Sequence, residues 1–191
     1  GRSIQRPYEA GVNAYKQDLR NRRVSGELYS ADSIHFNDSL IYYTPKNRKV
    51  YGGGGIIPDV FVPVDTSKID GFLRSIQRNA LIEGYALKMF VKTSENIKRD
   101  FSDVSVFLDE YKFDDSHAEA FRAYADRRGF STEDETFDVN LPYINERLKI
   151  DLSRFIFGYT SYYEALAFYD PDINAVREEI ERGTYKELGL R

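Results

Sequence analysis

The chain has no cysteine and no tryptophan among its 191 residues, and it has a single methionine. Without cysteine it cannot form a disulfide, a thiolate metal site or a cysteine nucleophile. It also lacks any apolar run near the roughly 18 residues that a membrane-spanning helix needs. These absences exclude a disulfide-stabilised fold, metal sites that depend on cysteine, and a transmembrane helix in this sequence.

An excess of positive charge is missing as well. The sequence has 27 Lys and Arg residues against 31 Asp and Glu residues, a formal net charge of −4. Because nucleic acids and anionic membranes attract basic surfaces, we expect no nucleic-acid partner. Four basic residues do fall on one predicted helix over residues 10–23, namely Lys16, Arg20, Arg22 and Arg23. They form either a phosphate-binding patch or a solvated helix face, and we favour the solvated face.

Aromatic residues are abundant. The chain has 15 tyrosines and 13 phenylalanines, and 41% of its residues are hydrophobic. This composition is typical of a globular protein and not of a disordered one. It predicts a core that is filled largely by aromatic rings.

Four consecutive glycines, Gly52–Gly55, precede the sequence IIPD and the β-branched and aromatic run Val60–Val62. Glycines in series permit positive φ or the close approach of another group to the backbone, and Val60–Val62 predicts a buried strand. A phosphate-binding loop would need a Gly-Lys-Ser or Gly-Lys-Thr sequence that opens a helix. The segment therefore predicts a glycine turn that leads into a strand, and no nucleotide cofactor.

Short extended segments are predicted before the glycines and helices after them. Ser3–Gln5, Ser33–Phe36 and Leu40–Thr44 read as extended chain, and Lys49–Tyr51 returns after the turn PKNR to close a hairpin. After Asp65 the apolar residues recur at helical spacing. We predict an α+β fold with a short β-rich part, residues 1–65, and a small helical bundle, residues 66–191.

Helices of the second part are delimited by caps, glycines and prolines. Thr66 or Ser67 is the predicted first cap, and Gly129 and Gly158 are predicted helix ends. Residues 131–138 are acidic, lack apolar spacing and predict an exposed loop. The predicted helices cover residues 69–76, 80–91, 101–111, 114–129, 140–158 and 159–168, and a last helix begins at Asp170-Pro171 with Ile173, Val176 and Ile180 inward.

Two groups of residues have the composition of a chemical site. Asp170, Asp172 and Asn174 copy part of a calcium-binding loop, but the required sixth-position glycine is Ala175, so an N-cap followed by proline is the better interpretation. His35 and His117 have no metal-ligating partner at helical spacing. We therefore predict no metal and no cofactor.

Tyrosine and phenylalanine are dense near the end of the chain, at Tyr159, Tyr162, Tyr163, Phe168 and Tyr169. Such a group serves either as an interface anchor, a role that aromatic residues often take, or as core packing. Core packing is the favoured use, since the helices need apolar surface to bury.

The segment VYGGGGIIPDVFVPVDT, Val50–Thr66, resembles the closing part of the peptidase core in the carboxyl-terminal processing (tail-specific) serine proteases, which carries a G-G-I-x-P-D-x-x-V element. The segment GRSIQRPY, Gly1–Tyr8, is similar to the G-R-x-I-Q element of the same family. Together they cover residues 1–65. From Ser67 onward the resemblance is looser, to the helical tail of the Bacteroidetes-type members.

The resemblance implies that the catalytic serine and its lysine base, and a peptide-binding PDZ domain, all lie upstream of Gly1. We therefore expect residues 1–65 to be the end of a peptidase core and the chain to be the non-catalytic C-terminal region of a serine endopeptidase of the periplasm or cell envelope. The expected partners are protein substrates and the upstream core and PDZ domain. The chain by itself is predicted to be inactive and to contain no catalytic, cofactor-binding or metal-binding residue.

Two other readings remain open. The helical part is alternatively an independent protein-binding module with an aromatic face, or the chain belongs to a non-catalytic relative of the protease that acts as a scaffold. Homo-oligomer formation is a further expectation, because Val60–Val62 would present an unpaired strand edge.

Overall fold

The computed structural model describes residues 11–34, 40–52, 58–64, 70–132 and 135–189. It divides the chain into two compact units, residues 1–65 together with 175–191, and residues 66–174. The helices are α1 Gly11–Val24, α2 Gly71–Arg78, α3 Leu81–Asp100, α4 Val104–Glu110, α5 Asp115–Asp126, α6 Glu135–Phe157, α7 Tyr159–Tyr169, α8 Pro171–Arg182 and α9 Thr184–Glu187; the strands are β1 Ile41–Tyr43 and β2 Lys49–Tyr51, and Ala31–Ser33 form a 3-10 turn.

The predicted fold class, a mostly helical α+β structure with a small hairpin near its N-terminus, is confirmed. Strands β1 and β2 pair antiparallel, with Ile41 opposite Tyr51 and Tyr43 opposite Lys49. Asn47 has φ +61, in the left-handed region that asparagine tolerates in tight turns. None of the helices in the described part of the chain is long and apolar enough to cross a bilayer.

Gly52 shows why the glycine run begins where it does. Its amide donates to the Leu40 carbonyl oxygen at 2.8 Å, which extends the hairpin ladder by one bond. A Cβ added at Gly52 would lie 2.6 Å from Cε2 of the Tyr42 ring. Glycine is therefore required here because the ring approaches the backbone closely.

The expected strand at Val60–Val62 is wrong. Val60 lies in a bend, and Phe61 and Val62 are irregular chain. Nearby, the Val64 amide donates to the Leu28 carbonyl oxygen at 3.0 Å, and the only strand pair among the described residues is β1 with β2. A run of β-forming residues becomes a strand only where a ladder partner exists.

The other extended segments predicted for the first part of the chain differ from the structure or lie outside the described residues. Ser33 ends the 3-10 turn Ala31–Ser33 and is not extended, although Ile34 has extended dihedral angles. The Ser3–Gln5 segment, the extended residues 35–36 and the glycines at positions 53–55 lie outside the described residues.

Helix α6 is the central element of the helical unit, and it packs against α3, α7, α2 and α4. Its core positions include Ile144, Leu148 and Leu152, each at most 2% exposed, on the face that the sequence predicts. Aromatic rings fill much of the space around it, as composition predicts. The fully buried rings are Phe107, Phe121 and Phe137.

Aspartate caps begin several helices. Asp70 accepts a hydrogen bond from the Leu73 amide at 2.7 Å and caps α2, whereas the predicted caps Thr66 and Ser67 lie outside the described residues. Asp103 and Asp114 cap α4 and α5 in the same way. Each carboxylate satisfies amides that the first helical turn leaves without a partner.

Several helix boundaries shift by up to three residues from the prediction, and two, the end of α3 and the start of α6, differ by more. Helix α3 continues to Asp100, beyond the expected end near Val91, because Ile97 returns to the core and the intervening lysine, glutamate and arginine residues favour helix. Helix α6 begins at Glu135 within the expected loop 131–138, and Phe137 is fully buried.

The reason for the early start of α6 is a tertiary contact. Arg122 of α5 donates to the Asp138 carboxylate at 2.7 Å, and its guanidinium lies 4.2 Å from the centre of the Phe137 ring. Pro142, which was expected near the helix start, therefore lies inside the helix. Packing outweighs the local preference of proline for a first turn.

Helix α8 also differs from expectation. Ile173, Val176 and Ile180 were predicted to point inward, but they are 38%, 57% and 57% exposed. Helical periodicity identifies an apolar face but does not determine whether another element covers it.

Gly84 lies inside α3, where alanine would normally be preferred by about 1 kcal/mol. A Cβ at this position would lie 2.7 Å from the Tyr124 hydroxyl oxygen. The Tyr124 ring is 5% exposed, it contacts the Tyr85 ring at 5.1 Å, and the Arg128 guanidinium covers it at 3.7 Å. The hydroxyl cannot move aside without disturbing these contacts.

We predict that Gly84→Ala lowers the free energy of unfolding by about 1–3 kcal/mol, because it overpacks the α3–α5 contact. Removing the obstructing hydroxyl in Gly84→Ala/Tyr124→Phe should recover the stability of Tyr124→Phe alone or exceed it. Urea denaturation of the four proteins measures this coupling. A Gly84→Ala protein as stable as the parent would contradict the close packing described here.

Candidate functional site

A cleft of about 430 Å³ opens on the surface of the helical unit. Helices α2, α3, α6 and α7 contribute to its wall. The lining residues are Ile76, Gln77, Ala80, Ile82, Glu83, Tyr143, Arg147, Asp151, Arg154 and Tyr162. Polar and charged side chains form most of this surface, the rings of Tyr143 and Tyr162 add apolar area, and Ile76 and Ile82 lie buried beneath it.

Helix α6 supplies the charged part of the cleft through one stripe, Tyr143, Arg147, Asp151 and Arg154. These residues are four, four and three positions apart, so they lie on one face of the helix. The buried face with Ile144 and Leu148 lies beside this stripe. One helix therefore presents an apolar face to the core and a charged face to the cleft.

Two polar contacts join lining residues of the cleft: Gln77 Nε2 donates to the Tyr143 hydroxyl at 2.5 Å, and Arg154 pairs with Glu83. Arg154 Nη2 donates to Glu83 Oε1 at 2.6 Å, and its guanidinium lies 4.7 Å from the Phe155 ring centre and 5.7 Å from that of Tyr162. The Nε atom is buried and has no hydrogen-bond partner among the described residues. The ion pair with Glu83 and the ring contacts hold the guanidinium in place.

Arg147 and Asp151 differ from Arg154 because neither makes a direct hydrogen bond or ion pair with a described residue, although their charges act on each other. Within the described part of the chain, Arg147 makes no hydrogen bond or ion pair, and the Asp151 carboxylate accepts no hydrogen bond. Asp151 is only 6% exposed. Burial raises the pKa of Asp151, and the charges of Arg147 and Arg154 oppose that rise while Glu83 adds to it.

Ala80 stands at the edge of the cleft, between α2 and α3, with φ 50 and ψ 34. A residue with a Cβ costs roughly 1–2 kcal/mol in this left-handed conformation. Strained backbone of this kind is found most often at functional sites. This strained residue connects α2 to α3, close to the positions where Gln77 and Glu83 line the cleft.

A tyrosine cluster, defined as Tyr159, Tyr162 and Tyr163, adjoins the cleft at the start of α7. The hydroxyls of Tyr159 and Tyr163 are 2.9 Å apart, and the Tyr162 ring contacts both neighbours, with ring centres 6.4 Å and 5.5 Å away. Tyr159 is 67% exposed and Tyr163 is 54% exposed. Because Tyr162 also lines the cleft, cluster and cleft form one continuous surface.

The five aromatic residues that are dense near the end of the chain differ in their surroundings, and Tyr162 both packs against the core and lines the cleft. Phe168 and Tyr169 pack against the core, and burial raises the pKa of Tyr169 to about 12. Tyr159 and Tyr163 face solvent. Both proposed uses of the group, core packing and an exposed face, are present at different residues.

His117 lies in the first turn of α5, in a small polar arrangement with Asp114 and Tyr111. Its Nδ1 is 2.9 Å from Asp114 Oδ1, and its Nε2 is 3.4 Å from the Tyr111 hydroxyl. Hydrogen bonds from Ser116 and His117 lower the pKa of Asp114 to about 2. Since the same carboxylate caps α5, this arrangement stabilises a helix start.

The remaining sequence candidates carry no site in the described part of the chain. Asp170 Oδ1 accepts from the amides of Asp172 and Ile173, so this segment is a helix cap. Within residues 11–34, 40–52, 58–64, 70–132 and 135–189, no cluster of three side chains suits a metal ion. His35 lies outside the described residues.

The apolar stripe of α6 is predicted from the sequence, but the polar stripe that lines the cleft is not. The spacing of Tyr143, Arg147, Asp151 and Arg154 was a readable signal, but charged residues at helical spacing are typical of any solvated face. Glu83, Gln77 and Tyr162 line the cleft only because three other helices pack against α6. The assembled cleft offers cationic, anionic and hydroxyl groups that are suited to recognition.

Lys149 is a second buried charge on α6, outside the cleft. It is 6% exposed, and its Nζ donates to the Leu108 carbonyl oxygen at 2.7 Å. That carbonyl belongs to the last turn of α4, where carbonyls lack helical partners. Burial lowers the pKa of Lys149 to about 8, and Lys112 adds to the effect. The lysine therefore caps α4 from a neighbouring helix.

Comparison with known proteins gives one similarity. A family model described as a family of unknown function, DUF8443, matches residues 72–158, which is just under half of the chain. No curated protein and no solved structure matches the chain. The matched residues include every cleft residue except Tyr162, while the tyrosine cluster follows them.

We predict that stability rises with pH through the titration of Lys149. Because its pKa is lowered in the folded state, the unfolded chain binds more protons between about pH 8 and 10.5, and the free energy of unfolding increases across that interval. The increase is at most about 3 kcal/mol, since one pKa unit corresponds to about 1.4 kcal/mol. Urea denaturation should show the rise in the parent protein relative to Lys149→Met.

Lys98→Met, at an exposed position on α3, is the control and should keep the pH dependence of the parent. Parallel pH profiles for the parent and Lys149→Met would show that the buried ammonium has no such role.

Proposed function

We propose that the helical unit is a non-catalytic protein-binding domain whose contact surface is the tyrosine cluster together with the adjoining cleft. The observation that carries this proposal is the exposure of Tyr159 and Tyr163 beside a charged cleft. Tyrosine and arginine are the residues that most often dominate protein interfaces. The surface combines both.

The tyrosine cluster is suited to binding because its rings are already ordered. The Tyr159–Tyr163 hydroxyl contact and the packing of both rings against Tyr162 restrict their rotation. A side chain held in place before binding loses less conformational entropy when a partner arrives. Gly158, with φ 104, supports this arrangement by starting α7 directly after α6.

We propose further that this domain belongs to a carboxyl-terminal processing serine endopeptidase of the periplasm or cell envelope. The support is the pair of segments GRSIQRPY and VYGGGGIIPDVFVP, which resemble two elements of that family. The catalytic serine and lysine would then lie upstream of Gly1. The helical domain would bind a protein substrate or assist assembly, without supplying a catalytic residue.

The binding proposal is tested by replacing Tyr163 with a photoreactive phenylalanine derivative in the source cell. Irradiation should link the chain to one defined partner protein, identified by mass spectrometry. The matched control places the same group at Tyr29, which is 43% exposed in the other unit and should give no such adduct. Absence of an adduct specific to position 163 would refute a binding role for the tyrosine cluster.

The peptidase assignment is tested separately by immunoblotting the source cell with an antibody against this chain. We expect a polypeptide longer than 191 residues whose upstream sequence contains a serine followed by a lysine base. Replacement of that serine by alanine should abolish proteolysis. A longer polypeptide without the serine–lysine pair would favour the scaffold interpretation, and no longer polypeptide would exclude both.

A further inference from the structure

The cleft contains two charged groups, Arg147 and Asp151, that interact through their charges but make no direct hydrogen bond or ion pair with the described residues. Arg147 makes no hydrogen bond or ion pair with the residues that the structure describes, and the buried Asp151 carboxylate accepts no hydrogen bond from them. Arg154, three residues further along α6, is instead held by Glu83 at 2.6 Å. Burial opposes the charged form of Asp151, and the charges of Arg147 and Arg154 stabilise it without a direct hydrogen bond from the described residues. Arg147 and Asp151 are therefore the groups left available to a ligand.

We propose that the cleft binds the carboxylate of an acidic side chain in a partner protein through Arg147, and that Asp151 takes up a proton when this carboxylate binds. This inference rests on the proposed binding function and names the chemistry of the partner. The carboxylate would enter beside Arg147, and the flanking residues of the partner segment would contact the tyrosine cluster.

Arg147 is the receptor for geometric reasons. A guanidinium donates two parallel hydrogen bonds to a carboxylate, and such pairs are among the strongest polar contacts in proteins. Arg154 is already committed to Glu83 and to the rings of Phe155 and Tyr162. Arg147 has no comparable commitment in the described structure.

The partner is expected to be a peptide segment and not a free anion. The cleft volume of about 430 Å³ exceeds what a single carboxylate fills, and the half-buried rings of Tyr143 and Tyr162 give part of the wall an apolar surface. Tyr162 connects the cleft directly to the exposed rings of Tyr159 and Tyr163. An acidic residue with apolar neighbours matches this combination of cation, apolar wall and aromatic rim.

Proton uptake follows from the charges that face Asp151. Arg147 and Arg154 on α6 stabilise its charged form, whereas burial and Glu83 on α3 oppose it. The other polar lining residues near it are Tyr143, Tyr162 and the neutral Gln77. A ligand carboxylate at Arg147 would neutralise the positive charge that stabilises the ionised form of Asp151. The pKa of Asp151 would therefore rise further. By linkage, binding strengthens as pH falls toward the ordinary range of a carboxyl group.

The test uses the full 191-residue chain and the blocked peptide acetyl-Leu-Glu-Leu-amide, followed through the Nε–Hε NMR signals of Arg147 and Arg154. The peptide should shift the Arg147 signal, whereas acetyl-Leu-Gln-Leu-amide should bind about tenfold more weakly or not at all. Titration calorimetry in buffers of different ionisation enthalpy should record net proton uptake on binding.

Two substitutions should act in opposite directions. Arg147→Gln should weaken binding of the glutamate peptide about tenfold or more, and Asp151→Asn should tighten it about tenfold while removing its dependence on pH. A general loss of structure cannot produce both effects. Arg127→Gln, at an exposed position just after α5, is the matched control and should leave binding unchanged.

The inference is overturned if the glutamate and glutamine peptides bind equally, or if Arg147→Gln has no effect. It is also overturned if a glutamine peptide with a free C-terminus replaces the glutamate peptide as the better ligand. The photocrosslinking experiment separates this failure from that of the proposed function. A partner linked through position 163 that contributes no acidic residue to the cleft would refute this inference alone.

Discussion

The helical unit depends on the burial of one face of α6. Ile144, Leu148 and Leu152 lie at the centre of the core, and α3 and α7 pack on either side of them. Large apolar side chains buried in this way each contribute about 1.5–3 kcal/mol of transfer free energy. Because the helix is held so firmly on one face, its other residues are presented at defined positions. The cleft and the capping lysine both exploit this rigidity.

Charges on α6 are placed where the helix meets its neighbours. Lys149 reaches the end of α4 and donates to an unpaired carbonyl oxygen, so the cost of burying its ammonium is offset by a helix cap. Asp151, two residues later, lies on the cleft side, accepts no hydrogen bond from the described residues, and is stabilised only by the charges of Arg147 and Arg154. The buried charge of Lys149 thus has a structural role, whereas the Asp151 carboxylate lacks a hydrogen-bond donor among the described residues. This difference is one reason to propose that a ligand binds beside Asp151, at Arg147.

The two proposals for function concern different parts of the chain and reinforce each other. The resemblance to processing peptidases rests on residues 1–65, whereas the binding surface lies on α6 and α7. A processing enzyme must recognise proteins, and a helical domain with an ordered tyrosine cluster beside an arginine is suited to that task. The family of unknown function that matches residues 72–158 covers the helices that build the cleft. Arg147 and Asp151, the residues of the proposed binding chemistry, lie within this matched part of the chain.

The sequence by itself determined the features that depend on neighbours along the chain. These are the mostly helical class after Asp65, the hairpin of β1 and β2, the caps at Asp114 and Asp170, and the apolar face of α6. Periodicity, turn residues and capping residues act over a few positions and can be read directly.

Tertiary structure decided the rest. Val60–Val62 pairs with no strand among the described residues. Helix α6 begins early because Arg122 of α5 contacts Phe137, and the cleft forms where four helices meet. Whether an apolar face is covered, as in α6, or exposed, as in α8, depends on elements distant in sequence. The same distance separates Glu83 from Arg154 and Lys149 from Leu108, so no local pattern could have revealed these contacts.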